Sequence, residues 1–159
     1  MQILFLSHYF PPEGNAPASR TYDNSAHWVS LGHKVTVITC VPNVPSGKVY
    51  KGYKNQLTQK EYIDGIEVWR VWTYLSSNSG HIGRILNYIT FMISATLLSF
   101  FIKRPDVILA TSPQFFCGWA GILVSWIKRK PLVLEIRDLW PDLPIAIGAI
   151  KSKLFINII

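Results

Sequence analysis

The sequence predicts an α/β domain built on a Rossmann-like, doubly wound parallel sheet with a hairpin insertion. Short continuous apolar runs bounded by turn residues are typical of strands buried on both faces of a parallel sheet. Segments with helical spacing lie between these runs. The first 40 residues hold a strand, a helix and a strand, and the crossover in such a unit makes the two strands parallel. The 159 residues are enough for one domain with its own core.

The first unit starts with the apolar run Ile3 to Leu6, which predicts a buried strand. Apolar and small residues at helical spacing predict a helix over Ala18 to Leu31, and Gly32 ends it. The β-branched segment Lys34 to Thr39 predicts the second strand.

The middle of the chain changes composition. Residues Val41 to Leu57 are rich in proline, glycine and lysine, which predicts a long loop of the kind that often carries function. After it, Gln59 to Tyr62 and Ile66 to Tyr74 predict the two arms of a hairpin, joined by the turn dipeptide Asp64-Gly65.

The second half repeats the strand–helix pattern. It predicts a strand at Val107 to Thr111, a helix at Phe115 to Lys128 and a strand at Leu132 to Ile136. A short helix is expected at Pro144 to Ala149. The last stretch, Lys151 to Ile159, has helical character without a cap, and we expect the chain to stop inside an element.

The segment from Ile85 to Ile102 runs eighteen residues without a formal charge. Three interpretations stay open: a buried helix of the domain, a helix that also touches a membrane surface, and a membrane span. The strand–helix pattern on both sides disfavours a span. The segment has a polar face at helical spacing, made by Asn87, Thr90 and Ser94.

The composition and charge exclude some classes of protein and favour certain partners. The chain is 49% hydrophobic and 16% charged, which excludes a disordered protein. Its net charge of +7 favours anionic partners. The basic residues form small scattered groups without interleaved stacking aromatics, so we expect no nucleic acid.

Cys40 and Cys117 are expected to be small core residues of a reducing compartment. The first apolar run is too short for a signal peptide, so a cytoplasmic location is expected.

Ligands of doubly wound sheets bind beyond the carboxyl ends of the strands, and three clusters of residues follow strands here. The first runs from Ser7 to Arg20 and contains the loop from Pro12 through Glu13 and Gly14 to Asn15. Its amides and the helix dipole behind it favour phosphate or sugar hydroxyls. Arg20, expected in the first helical turn, either grips an anion or is a solvated helix residue. The loop has no GxGxxG pattern, so a dinucleotide fingerprint is absent.

The second cluster contains Ser112 and Pro113, between Thr111 and Gln114. Small hydroxyl residues at a strand end either cap the next helix or bind a ligand. None of the histidines has metal-ligand spacing, so no metal is expected.

The third cluster surrounds the end of the last predicted strand. Glu135 lies inside the strand, so it is expected to be paired or near the cleft. Arg137 can neutralise a phosphate or pair with a carboxylate. Asp138 can accept a proton or hold a sugar hydroxyl. The alternative is a purely structural Arg–Asp turn.

These motifs, in this order and spacing, resemble glycosyltransferase family 4. The resemblance covers essentially the whole chain and is greatest for the bacterial enzymes that build surface polysaccharides, including the N-acetyl-fucosamine transferases. The segments that carry it are Ile3 to His8, Pro11-Pro12-Glu13-Gly14, Leu31-Gly32-His33 with the strand that follows, Asp106-Val107-Ile108, Thr111-Ser112-Pro113, and Glu135-Ile136-Arg137-Asp138-Leu139-Trp140-Pro141-Asp142.

The resemblance implies a GT-B enzyme with two Rossmann-like domains facing a cleft, which retains anomeric configuration and needs no catalytic metal. Residues 1–159 would be the N-terminal, acceptor-side domain, inactive without the C-terminal donor domain. Two positions depart from the family. Gly14-Asn15 stands where many relatives have two glycines, and Arg137 where many have a histidine. Arginine keeps its proton near neutral pH and cannot act as a general base.

The resemblance and the residues together predict glycosyl transfer from a nucleotide sugar to a polyprenyl-phosphate-linked or saccharide acceptor. Asp138 would orient the acceptor hydroxyl, while Arg137 and Arg20 would support phosphate or charge. The expected partners are the chain's own C-terminal domain and the inner-membrane surface, where the protein would be peripheral. Two alternatives remain. One is a non-catalytic membrane-associated domain, and the other is a nucleotide-cofactor oxidoreductase, although no ribose-binding acid follows Thr39.

Overall fold

The computed structural model describes residues 1–75, 81–112 and 114–137. Within these residues the chain forms six strands and three helices. The strands are β1 (Gln2–Leu6), β2 (Lys34–Cys40), β3 (Thr58–Ile63), β4 (Ile66–Val71), β5 (Val107–Thr111) and β6 (Leu132–Glu135). The helices are α1 (Ala16–Ser30), α2 (His81–Ser99) and α3 (Phe115–Lys128).

The strands form one sheet in the order β3-β4-β2-β1-β5-β6. Every neighbouring pair is parallel except the antiparallel hairpin of β3 and β4. The chain moves outward from β1 through β2 to β4 and then returns to place β5 on the other side of β1. The direction of winding therefore reverses between β1 and β5. This confirms the predicted Rossmann-like, doubly wound sheet with a hairpin insertion.

The core has two layers, one on each face of the sheet. Alternate residues of β1 divide between them, because successive side chains of a strand point to opposite faces. One layer packs against α1 and includes Ile3, Phe5, Val35, Val37, Ile66 and Val68. The other packs against α2 and α3 and includes Leu4, Leu6, Ile38, Phe91, Ala95, Ile108 and Ala120. Cys40 and Cys117 are buried free thiols in this second layer, as predicted.

The hairpin turn has the geometry that Asp-Gly favours, with φ of 48° at Asp64 and 80° at Gly65. The second arm is shorter than predicted, because β4 ends at Val71 rather than Tyr74. Beyond Val71 the chain leaves the sheet ladder, and the Thr73 N–H donates to the side chain of Asn55 at 3.2 Å.

Helix α1 begins two residues earlier than predicted because Asn15 caps it, its Oδ1 accepting the Ala18 N–H at 2.9 Å. The helix ends before Gly32, whose φ of 82° is a conformation that glycine adopts without strain. The early start corrects one prediction: Arg20 lies in the second turn of α1, not the first.

The remaining bounds differ from the prediction by a few residues. Helix α2 begins at His81 and ends at Ser99 because the N–H groups of residues 100–102 bond three residues back, which tightens the final turn. Helix α3 matches its predicted range, and β6 ends one residue early, at Glu135. The predicted helix at Pro144 to Ala149 and the final stretch to Ile159 lie outside the described residues.

A buried arginine ties the hairpin to the rest of the sheet. Arg70 of β4 is only 2% exposed. Its guanidinium donates to the Cys40 carbonyl oxygen at 3.1 Å, to the Pro11 carbonyl oxygen and to the Glu61 carboxylate. It also lies 4.8 Å from the Tyr53 ring centroid. One side chain thus joins β4, β2, β3 and the loop that follows β1.

Candidate active site at the carboxyl edge of the sheet

The first predicted loop is held in place by its own carboxylate. Glu13 is buried, and its Oε1 accepts the backbone N–H of Asn43 at 2.8 Å and of Val44 at 3.0 Å. Burial raises the pKa of Glu13, although these hydrogen bonds and the charge of Arg70 oppose the shift. The carboxylate predicted to bind substrate is therefore engaged in joining this loop to the long loop after β2.

The start of α1 offers fewer free amides than the sequence predicted. Asn15 caps the Ala18 N–H, Pro17 has no N–H, and the Ser19 N–H bonds the Asn15 carbonyl. Among the described residues, only the Ala16 N–H of this first turn is left to bind an anion. Phosphate binding by the helix N-terminus is correspondingly weakened.

The other predicted residues of this region face solvent. Pro12, Gly14 and Arg20 are exposed. A Cβ on Gly14 would have no atom within 4 Å, so the position is open for an approaching ligand. The Arg20 side chain has no hydrogen bond or ion pair within the described ranges. Its predicted role in binding an anion stays a prediction.

The second and third clusters meet at the carboxyl edge of the sheet. The Ser112 hydroxyl accepts the backbone N–H of Arg137 at 2.7 Å. Arg137 Nη2 donates to the Glu135 carboxylate at 2.6 Å. Ser112 does not cap a helix, because the cap position of α3 is Gln114 and its side chain makes no capping bond. Ser112 and Glu135 therefore fix the backbone and the guanidinium of Arg137.

Two predicted site residues, Pro113 and Asp138, lie outside the described residues. The role of Asp138 in orienting an acceptor stays a prediction, as does the contribution of Pro113. Asp138 directly follows Arg137 in the chain, so the Ser112 bond to Arg137 anchors the backbone next to it.

The switch point between β1 and β5 contains two residues, His8 and Gln114, that lie in the segments predicted to follow strands but had no predicted ligand role. His8, directly after β1, is buried between the rings of Tyr9, Tyr88 and Phe91. Burial lowers the pKa of His8 to about 3, so its imidazole is neutral at physiological pH. Gln114, just after β5, is 5% exposed. Their position directly after a strand was the signal that could have identified them.

The carboxyl edge collects buried polar atoms that have no hydrogen-bond partner among the described residues. They are His8 Nδ1, Thr73 Oγ1, both amide atoms of the Gln114 side chain, and Nε and Nη1 of Arg137. Each residue follows a different strand: β1, β4, β5 or β6. Buried polar groups in proteins nearly always have a partner. These atoms are therefore candidates for hydrogen bonds to groups outside the described residues.

In the part of the chain that the structure describes, no three His, Cys, Asp or Glu side chains are grouped to hold one metal ion. The polar groups that follow the strands here are instead the Arg137 guanidinium, held by Glu135, and the side chains of His8 and Gln114.

Comparisons with known proteins identify the family. No curated protein gives a significant match to the chain. The C-terminal domain of a hydrogenase from Pyrococcus furiosus is similar in structure, with a TM-score of 0.53 and 12% identity over 84% of this chain and 89% of that one. At this identity the likeness concerns the fold alone. The model of the glycosyl transferase 4-like domain matches residues 15–157, and the chain therefore belongs to that glycosyltransferase family.

Proposed function

We propose that residues 1–159 form the acceptor-side domain of a retaining, two-domain glycosyltransferase whose C-terminal domain binds the nucleotide-sugar donor. Family membership supports a transferase that uses a sugar donor and an acceptor. The division of labour between the two domains comes from the resemblance to GT-B enzymes.

The observation that carries the proposal is the row of unpaired buried polar atoms at the carboxyl edge. Sugars present many hydroxyl groups, each both donor and acceptor. The Gln114 amide offers both kinds of partner. Two N–H-bearing atoms of Arg137 are also unpaired within the described ranges, and a guanidinium binds phosphate oxygens through such groups. This edge therefore matches a phosphorylated saccharide better than an apolar ligand.

The residues take distinct roles in this proposal. Arg137 stabilises charge on the phosphate and keeps its proton throughout. Asp138 orients the acceptor hydroxyl, and Arg20 adds positive charge at the open side of the first loop. The reaction depends on positioning and electrostatics rather than on a bound metal. An oxidoreductase receives no support from the family match.

The acceptor we propose is a polyprenyl-phosphate-linked or growing saccharide in bacterial surface-polysaccharide synthesis, with a sugar of the N-acetyl-fucosamine type as donor. The enzyme would work from the cytoplasmic side, peripheral at the inner membrane. The net charge of +7 supports a phosphorylated acceptor at an anionic surface.

Transfer by the full-length enzyme tests this function. Release of nucleoside diphosphate from a panel of nucleotide sugars would be followed with polyprenyl-phosphate-linked acceptors. We expect Asp138→Ala to lower kcat/KM by about 100-fold or more, since positioned acid–base and orienting groups contribute that much. A matched control, Gln56→Leu, alters an exposed loop residue. Unchanged turnover in Asp138→Ala would remove that residue from the mechanism, and absence of acceptor-dependent release would contradict the function.

A further inference from the structure

The outward face of α2 carries a stripe of exposed apolar residues that continues to Phe100, directly after the helix. Residues at helical spacing, which share one face of the helix, are exposed by 76%, 41%, 49%, 58% and 57%. They are, in chain order, Ile82, Leu86, Ile93, Leu97 and Phe100. A surface helix of a soluble domain normally turns polar residues to water. Helix α2 instead turns mainly apolar residues to solvent.

Two residues of the predicted polar face of α2, Asn87 and Thr90, contact the rest of the protein. Asn87 is 9% exposed and its Nδ2 donates to the Tyr74 carbonyl at 2.7 Å. Thr90 Oγ1 accepts the Tyr74 N–H at 2.9 Å. Two of the three predicted polar positions, Asn87 and Thr90, therefore dock α2 on the segment after β4.

Helix α3 lies beside α2 on the same face of the sheet and continues this surface. Its exposed residues Phe115, Trp119 and Trp126 are spaced by four and seven, so they share one face. Trp126 is 71% exposed. Contiguous exposed apolar surface of this kind marks an interaction site. We call the outward faces of α2 and α3 the two-helix surface.

Exposed basic residues border the two-helix surface at both ends: Arg84 lies near the start of α2, and a larger basic group lies at the other end. Exposed Lys103 and Arg104 follow α2, and exposed Arg129 follows α3. Neither helix contains an acidic residue. A cavity of about 570 Å³ at the same end is lined by Lys34, Lys60 and Lys103 together with aromatic residues. Of these, Lys60 pairs with Glu67 at 3.3 Å.

By length and composition, the part of α2 from Ile82 to Ser99 could cross a membrane. Its packing argues for a different arrangement. Phe91, Ala95 and Leu98 are buried against the sheet, so one side of the helix belongs to the domain core. A helix with one side in a core and an apolar opposite side fits the plane of a membrane surface.

We propose that the two-helix surface docks on an anionic phospholipid bilayer, with its aliphatic and aromatic side chains in the interfacial region and its basic end on lipid phosphates. Tryptophan favours the membrane–water interface, and lysine and arginine beside an apolar helix face favour anionic lipid. The inference rests on the peripheral location proposed above and names the surface responsible. It does not depend on the identity of the sugar or the acceptor.

Vesicle co-sedimentation of the full-length protein tests the docking surface, using phosphatidylcholine with and without phosphatidylglycerol. Phe100→Gln/Trp126→Gln should weaken binding by at least about tenfold, because two apolar anchors are lost. Its control is Leu57→Gln, since Leu57 is 81% exposed but lies in a loop away from both helices. Circular dichroism and thermal unfolding of each variant would show that the fold is retained.

A second pair of variants tests whether vesicle binding requires the basic residues at the end of the two-helix surface. Lys103→Gln/Arg104→Gln should weaken binding to phosphatidylglycerol vesicles by about 25-fold at low salt, since each charge contributes roughly fivefold. Lys51→Gln/Lys54→Gln removes two exposed charges from the loop after β2 and should change binding much less.

Each alternative outcome is distinct. If both pairs of variants weaken vesicle binding while their controls bind like the native protein, the result would support the two-helix surface as the docking site. If the variants still bind vesicles like the native protein, the two-helix surface is not the docking site, but the proposed peripheral location would stand. No binding to either vesicle would overturn both and leave the transfer reaction to its own assay. A dimer that dissociates on Phe100→Gln/Trp126→Gln would assign the surface to a second copy and overturn the proposal.

Discussion

The carboxylate of Glu13 and the backbone N–H of Asn43 lie 2.8 Å apart and join two loops at the carboxyl edge of the sheet. The same oxygen also accepts the Val44 N–H at 3.0 Å. We expect Glu13→Ala to destabilise the protein by about 2 kcal/mol, because it leaves these two N–H groups without their acceptor. Chemical denaturation measures the change, and an unchanged midpoint would show that water replaces the carboxylate fully.

Glu13→Gln isolates the charge of that residue from its hydrogen bonds. Burial raises the pKa of Glu13 above its ordinary value of 4.5, so the folded protein binds this proton more tightly than the unfolded chain. The carboxyl's contribution to the unfolding free energy is therefore complete below about pH 4.5 and decreases as the pH rises through the folded pKa. The stability of Glu13→Gln relative to the native protein should rise over that window. A relative stability that falls with rising pH would contradict the sign.

His8 predicts the opposite pH dependence. Burial lowers its pKa from 6.5 to about 3, so the folded state favours the neutral ring. The stability that His8 contributes is present above about pH 6.5 and is lost as the pH falls toward the folded pKa. Guanidinium denaturation of the native protein and His8→Phe should show a relative gain for the variant on the order of 3 kcal/mol between pH 7 and pH 4. Equal acid sensitivity would show that His8 is not buried as a neutral ring.

The close contact of α3 with β5 depends on a glycine. A Cβ added to Gly121 would lie 2.6 Å from the Cβ of Ala110. The alanine side chain is a single methyl group and cannot rotate out of the way. Gly121→Ala should destabilise the protein by roughly 1–3 kcal/mol, although alanine favours a helix. The matched control is Gly118→Ala, whose Cβ would meet the flexible Leu134 side chain at 3.3 Å. Thermal unfolding compares the two, and a larger loss for Gly118→Ala would contradict this packing.

The sheet was predictable because its signals are local. The strands β1, β2 and β5 are buried on both faces, so their sequences are continuous apolar runs. Such runs identify strands without knowledge of the tertiary structure. The Asp64-Gly65 turn likewise encodes its own geometry. The pairing of Glu135 with Arg137 could also be expected from two opposite charges only two residues apart in the sequence. Bounds set by tertiary contacts, such as the end of β4, were less accurate.

Long-range contacts could not be predicted. Arg70 looked like an ordinary strand residue, yet it reaches the Pro11 carbonyl, 59 residues away in the chain. The polar positions of α2 were identified correctly, but only the fold shows that Asn87 points inward to Tyr74. His8 and Gln114 became visible as site residues when the strand order placed β1 beside β5.

The central claim is that the carboxyl edge of this domain binds the acceptor. Separate measurement of the acceptor and donor KM of the full-length enzyme, carrying Gln114→Leu, tests it most directly. Loss of a hydrogen bond from a buried site costs about 1–3 kcal/mol. We therefore predict that the acceptor KM rises by about 10-fold or more while the donor KM stays unchanged. A rise in the donor KM alone, or no change in either, would contradict the claim.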